Sequence, residues 1–110
     1  MSDKKYVKKD VSQEWLLAHG FHYSRVYSDF YGDAYTYVFP VYKYKNNTVL
    51  ECELCIYLDG EVRVNVYDCN IKEIYHPFYN NTYDSIDNTV LKVVDRNISN
   101  KLKKFGVEKV

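Results

Sequence analysis

Cys52 and Cys55 stand three positions apart, the spacing of a redox or zinc pair. That chemistry needs both sulfurs to converge, as they do at a helix start or in a knuckle turn. The run around them, VLECELCIYL, reads as a strand. Residues three apart in a strand point to opposite faces. Cys52 is therefore expected in a core and Cys55 on the other face, each a structural thiol. The third cysteine, Cys69, has His76 downstream, but no local signature supplies the third group that would orient a nucleophile. His19-x-x-His22 straddles an expected helix end and strand start, where convergence of the rings is not assured. The four glycines stand singly, so no phosphate-cradling loop is present. No catalytic residue, metal site or cofactor is expected, and the chain reads as a non-enzyme.

Tyrosine is the residue type left to explain. AYTYVFPVYKYK, residues 34–45, holds four of the thirteen tyrosines, with aromatic and apolar side chains at odd and even positions alike. Successive strand residues face opposite ways, so tyrosines occupy both faces. Tyr35 and Tyr37 share parity with a core. Tyr42 and Tyr44 are expected on an open face with Tyr57, Tyr67 and Arg63. A tyrosine ring is large and rigid with a polar tip, which suits a binding surface. Tyr75, Phe78 and Tyr79, in the aromatic loop after Cys69, extend this candidate protein-binding surface. A nucleic-acid platform is the alternative. It would use the same rings with Lys4, Lys5, Lys8 and Lys9 of the N-terminal arm and Lys101, Lys103 and Lys104 near the C-terminus. The formal net charge is +0 and the open face also carries Glu51 and Glu53, with Glu61 beside them. A phosphate-binding surface normally needs a Lys/Arg excess. The balance favours a protein partner or a second copy of the chain.

The elements that must carry these residues follow from periodicity. Residues 1–9 are expected as a flexible basic arm. A short helix follows, capped by Asp10 or Ser12, anchored mainly by Trp15 and stopped at Gly20. Phe21 to Asp29 is a strand. An Asn46-Asn47 hairpin turn would set Val41 opposite Cys52, Phe39 opposite Leu54 and Tyr37 opposite Ile56. A three-residue loop, Leu58-Asp59-Gly60, sets Ile56 against Val62, Leu54 against Val64 and Cys52 against Val66. Residues 70–84 read as an ordered irregular loop. Ile86, Val90, Val94, Ile98, Leu102 and Phe105 recur at helical spacing, with Asp84 or Asp87 as cap and Gly106 as stop. The expected fold is α+β: a two-layer sandwich in which a four-stranded antiparallel meander carries N- and C-terminal helices on one face, in the order α-β-β-β-β-α. Residues 10–110 form its single domain, and the second sheet face stays uncovered.

Composition sets the class. Hydrophobic residues are 46% and charged residues 27% of the 110, as in a chain that folds. No leader and no run near the ~20 apolar residues of a membrane span is visible. Together with an odd cysteine count, this leads us to expect a cytoplasmic protein with no membrane partner. The richness in Lys, Asn and Tyr is similar to that of small accessory proteins of AT-rich bacteria, their phages and mobile elements. That resemblance implies action by binding, including as an inhibitor of host defence enzymes. The sequence thus leads to a small non-catalytic interaction domain that binds a protein, or itself, through a tyrosine-rich open sheet face.

Overall fold

The computed structural model of the chain describes residues 6–29, 32–80 and 85–110, and the side chains of all of these except 29, 79, 80 and 85–88. Lys4, Lys5, Asp84 and the side chains of Tyr79 and Ile86 lie outside the described residues.

Ser12 starts the first helix, α1 (Gln13–Ala18). Its backbone is extended, and its side-chain oxygen accepts the Trp15 N–H at 3.1 Å. This satisfies one of the amides that a helix start leaves open. Gly20 ends it at φ 88°, donating its N–H to the Leu17 carbonyl at 3.3 Å, while Phe21 donates to Leu16 at 3.0 Å. Those two bonds are a Schellman cap. They direct Leu16 and Phe21 into one core, both fully buried. The anchor is therefore Leu16, and Trp15 is only half-buried.

Four long strands follow in a meander: β2 (His22–Asp29), β3 (Gly32–Tyr44), β4 (Asn47–Tyr57) and β5 (Glu61–Asp68). The β4–β5 register is the expected one, with Ile56 opposite Val62, Leu54 opposite Val64 and Cys52 opposite Val66. Gly60 closes that loop at φ 101°. From Ala34 to Pro40 the β3–β4 hairpin keeps the expected faces but not the expected partners. Its turn residues are Lys45 and Asn46, at φ 50° and 66°, so Phe39 faces Cys52, Tyr37 faces Leu54 and Tyr35 faces Ile56. A slip of two residues leaves every side chain on its own face, so the hydrophobic pattern does not distinguish the two registers.

After Cys69 the chain forms a two-residue strand, β6 (Glu73–Ile74), and a short helix, α2 (His76–Asn80), where an irregular loop was expected. The long helix α3 (Ser85–Lys104) lays Leu91, Val94, Ile98 and Leu102 on the sheet, and Phe105 follows into the same core. Asp87 lies inside this helix, not at its cap. Gly106 turns the chain at φ 71° into a last strand, β7 (Val107–Lys109). Residues Tyr6–Lys8, expected in the flexible arm, form β1, which pairs antiparallel with both β5 and β7.

The expected four-stranded meander with flanking helices is thereby corrected. Among the described residues, seven antiparallel strands make one curled half-barrel in the order β2-β3-β4-β5-β1-β7, with β6 on β5. Strands of two or three residues carry no readable alternation, and the pairing of the two ends of a chain leaves no local pattern. One face of the sheet holds the main core, in which Tyr35, Phe39, Leu54 and Ile56 meet Leu16, Val94, Ile98 and Phe105.

Candidate functional site

The second sheet face does not stay bare along its whole length. β2 leaves register with β3 between Ser24 and Asp29. That irregularity carries Tyr27 across the face, onto a second small core of Ala34, Cys55 and Tyr57. Tyr57, expected as an exposed anchor, is 2% exposed and donates its hydroxyl to the Tyr27 carbonyl at 3.1 Å. Cys55 is buried beneath it, while Cys52 is buried in the main core on the opposite face. The Cys-x-x-Cys thiols thus point apart. Among the described residues, no three His, Cys, Asp or Glu side chains are grouped to hold a metal.

Three further candidates, Tyr42, Tyr75 and Phe78, pack against the main core instead of the open face. A bulge between Pro40 and Tyr42 sets Tyr42 opposite Leu50 and turns its ring to the main core, with Val41. Asn97 Nδ2 on α3 donates to the Val41 carbonyl at 2.8 Å, which satisfies a carbonyl the bulge diverts from the ladder. Tyr44 is exposed at the hairpin end with Lys45 over its ring. Arg63 lies over Tyr57 at 4.9 Å and pairs with Glu61 at 3.2 Å. No proline or glycine lies in the irregular stretch of β2, so the sequence carried no mark of it, whereas Pro40 stands at the bulge in β3 and was the signal there.

The uncovered half of the second face is built by cross-strand pairs. Pro40 faces Glu51, Glu51 faces Tyr67 and Tyr67 faces Ile74, one row across β3, β4, β5 and β6. The next row is Val38, Glu53 and Asn65. Directly opposed residues share a face. Val38 at 52% and Ile74 at 40% exposure therefore flank half-buried carboxylates. On this face lies an open hollow of about 380 Å3, lined by Val38, Glu51, Glu53, Tyr67, Asp68, Cys69 and Lys72.

Hydrogen bonds set the character of this hollow. Tyr27 donates to Glu53 Oε1 at 2.8 Å, and its oxygen lies 3.2 Å from the Tyr67 hydroxyl. A phenol has one proton, so Tyr67 is the donor to Tyr27. The Tyr67 bond, then burial, then the Glu53 carboxylate hold the Tyr27 hydroxyl far above the ordinary phenol range. Burial, then Glu51, raise the Cys69 thiol, which makes it a poor thiolate. The hollow therefore offers apolar walls and carboxylate acceptors rather than a nucleophile.

Of the cations assigned to a nucleic-acid surface, Lys8, Lys9 and Lys101 have contacts within the fold. Lys8 is 8% exposed, donates to the Phe105 carbonyl at 2.8 Å and lies 4.0 Å from the Trp15 ring centroid. Lys9 is 3.7 Å from Glu108. Lys101 lies over Tyr37, Phe39 and Phe105, while Lys103 and Lys104 are exposed. His19 stacks on Trp15 at 4.0 Å, and its Nδ1 meets the Trp15 carbonyl at 2.7 Å. Among the described residues, no helix is long and apolar enough to cross a membrane. Comparison of the chain with protein-family models, curated proteins and solved structures returns no match.

Proposed function

We propose that the chain is a non-catalytic, cytoplasmic protein-binding domain whose partner sits on the second sheet face, over the row Pro40, Glu51, Tyr67 and Ile74. The observation that carries this reading is the hollow itself: about 380 Å3 in which exposed Val38 and the Tyr67 ring stand beside the Glu51 and Glu53 carboxylates, with exposed Ile74 next to Tyr67 across the β5–β6 pair. Single exposed apolar side chains need no explanation, but several grouped with charged ones around one hollow suit an interface. Of the eight residues first assigned to this role, Tyr67 is the one at its centre. Carboxylates repel phosphate, so the surface suits a protein segment that presents Lys or Arg beside apolar residues. The cytoplasmic setting is consistent with three free thiols. Action by binding also agrees with the compositional likeness to phage and mobile-element accessory proteins.

Selection from a random peptide display library on the immobilised protein tests the reading. Recovered peptides are expected to pair basic with apolar residues. Their binding should be lost in Val38→Asp and weakened in Glu51→Gln, while both variants melt as wild type does. Peptides that bind both variants unchanged would exclude this face, as would tight, salt-sensitive binding to single-stranded nucleic acid. Self-association in sedimentation that Val38→Asp abolishes would make the partner a second copy of the chain.

A further inference from the structure

A second hollow lies on the other side of the sheet and has the opposite charge. It opens between β3 and α3, measures about 440 Å3 and is lined chiefly by Phe39, Val41, Tyr42, Lys43, Asn97 and Lys101. The bulge in β3 creates it. Val41 and Tyr42 both turn toward the helix, and the Asn97 side chain meets the diverted Val41 carbonyl.

Lys101 is half-buried at this hollow. Its Nζ lies 5.6 Å from the Tyr37 ring centroid, 5.3 Å from Phe39 and 5.8 Å from Phe105. Ring faces attract an ammonium but accept its N–H bonds poorly, so three donors stay available. The ion pairs among the described residues are Lys9–Glu108 and Arg63–Glu61, and neither Lys101 nor Lys43 belongs to one. Among the described residues, no carboxylate lines the hollow. A positive field therefore stands over an apolar, partly aromatic floor, the combination of apolar walls and few polar groups that fixes a small ligand's orientation.

We propose that this hollow binds a carboxylate carried on an apolar body the size of a single ring. Lys101 and Lys43 hold the carboxylate by charge-assisted hydrogen bonds, and the half-buried Tyr42 ring, with the exposed edge of Phe39, covers the body. The reading is independent of the partner surface on the opposite face.

Titration of the full-length protein by NMR tests it. The probes are phenylacetate and its neutral isostere phenylacetamide, with N-acetylphenylalanine as a carboxylate at a peptide end. Phenylacetate should shift the amide resonances of residues 41–43 and 97–101 and saturate. Phenylacetamide should bind roughly tenfold more weakly, since it lacks the charge that strengthens the bonds. Lys101→Met should abolish that preference and Lys101→Arg should keep it; Lys43→Gln, at an exposed position, should weaken it without affecting folding. A tighter response to N-acetylphenylalanine would identify the source as a peptide terminus. Equal binding of acid and amide would overturn the proposal. So would competition by inorganic phosphate at the concentration of the acid, or shifts confined to other residues.

Discussion

Lys8 carries its ammonium on the Phe105 carbonyl and over the Trp15 ring. It joins the end of α3 to α1 and β1, so it acts as a bracket between the chain's two ends rather than as a phosphate contact. Lys8→Met keeps the stem and removes the donor. The loss should be about 1–3 kcal/mol in urea unfolding, the size of a buried hydrogen bond with a charged partner plus a cation–π contact. A loss under ~0.5 kcal/mol would mean that water replaces the bond, an effect no larger than that of a surface change. Cys55 is a second residue defined by its surroundings. Burial pushes its thiol from 9.0 up to about 11, against the Tyr57 hydrogen bond and Arg63, which pull it down. Above pH 9 the unfolded chain releases this proton while the folded chain retains it, so the unfolded state binds fewer protons and stability falls as pH rises. The stability contributed is complete below pH 9 and lost on passing about pH 11. In a Cys55→Ala variant, the alkaline decline over this window should be shallower. An unchanged slope would show that other groups carry it.

Among the elements, the β4–β5 loop bears the greatest constraint. A Cβ on Gly60 would stand 2.8 Å from the Lys8 carbonyl oxygen, at a φ of 101° that side chains rarely adopt. The Lys8 N–H also donates to the Gly60 carbonyl at 2.9 Å, so the loop seats β1 as well as joining two strands. Gly60→Ala should therefore cost more than about 1 kcal/mol and speed hydrogen exchange at the Lys8 amide. Asn46, at φ 66° in the β3–β4 turn, offers the contrast. Asparagine tolerates that conformation and glycine prefers it, so Asn46→Gly should change stability by less than ~0.5 kcal/mol. Equal losses at both positions would mean that conformation alone, rather than the contact with β1, sets the cost.

At the scale of the whole molecule, the half-barrel divides the surface into two unlike sides. The hollow with Glu51 and Glu53 lies on one, and that with Lys43 and Lys101 on the other, which a net charge of +0 conceals. Ile56 sits at the centre of the main core with no exposed surface. Ile56→Ala should cost on the order of 2–5 kcal/mol, through lost transfer energy and the cavity left behind. Val26, 88% exposed on the outer strand, should lose less than about 0.5 kcal/mol on the same change. Chemical denaturation of the two variants measures both.

The sequence by itself determined the elements whose side chains repeat. Val94, Ile98 and Leu102 announced α3 because a helix brings every third or fourth residue to one stripe. Cys52, Leu54 and Ile56 announced a buried face because strand alternation leaves no other place for them, and Gly60 set the β4–β5 register. What only the tertiary structure decided lies where the chain departs from its own period. The irregularity in β2 placed Tyr27 over Cys55 and Tyr57, and the bulge at Val41 turned Tyr42 away from the open face. β1 and β7 found each other across the length of the chain. Such choices depend on which backbone groups find partners and which rings meet, and these are settled by contacts between distant segments. Of the candidate site, Glu51, Glu53 and Tyr67 were legible as residues of one face. Their enclosure with Val38, Asp68, Cys69 and Lys72 was not, because β6 and the turn before it exist only against the edge of β5.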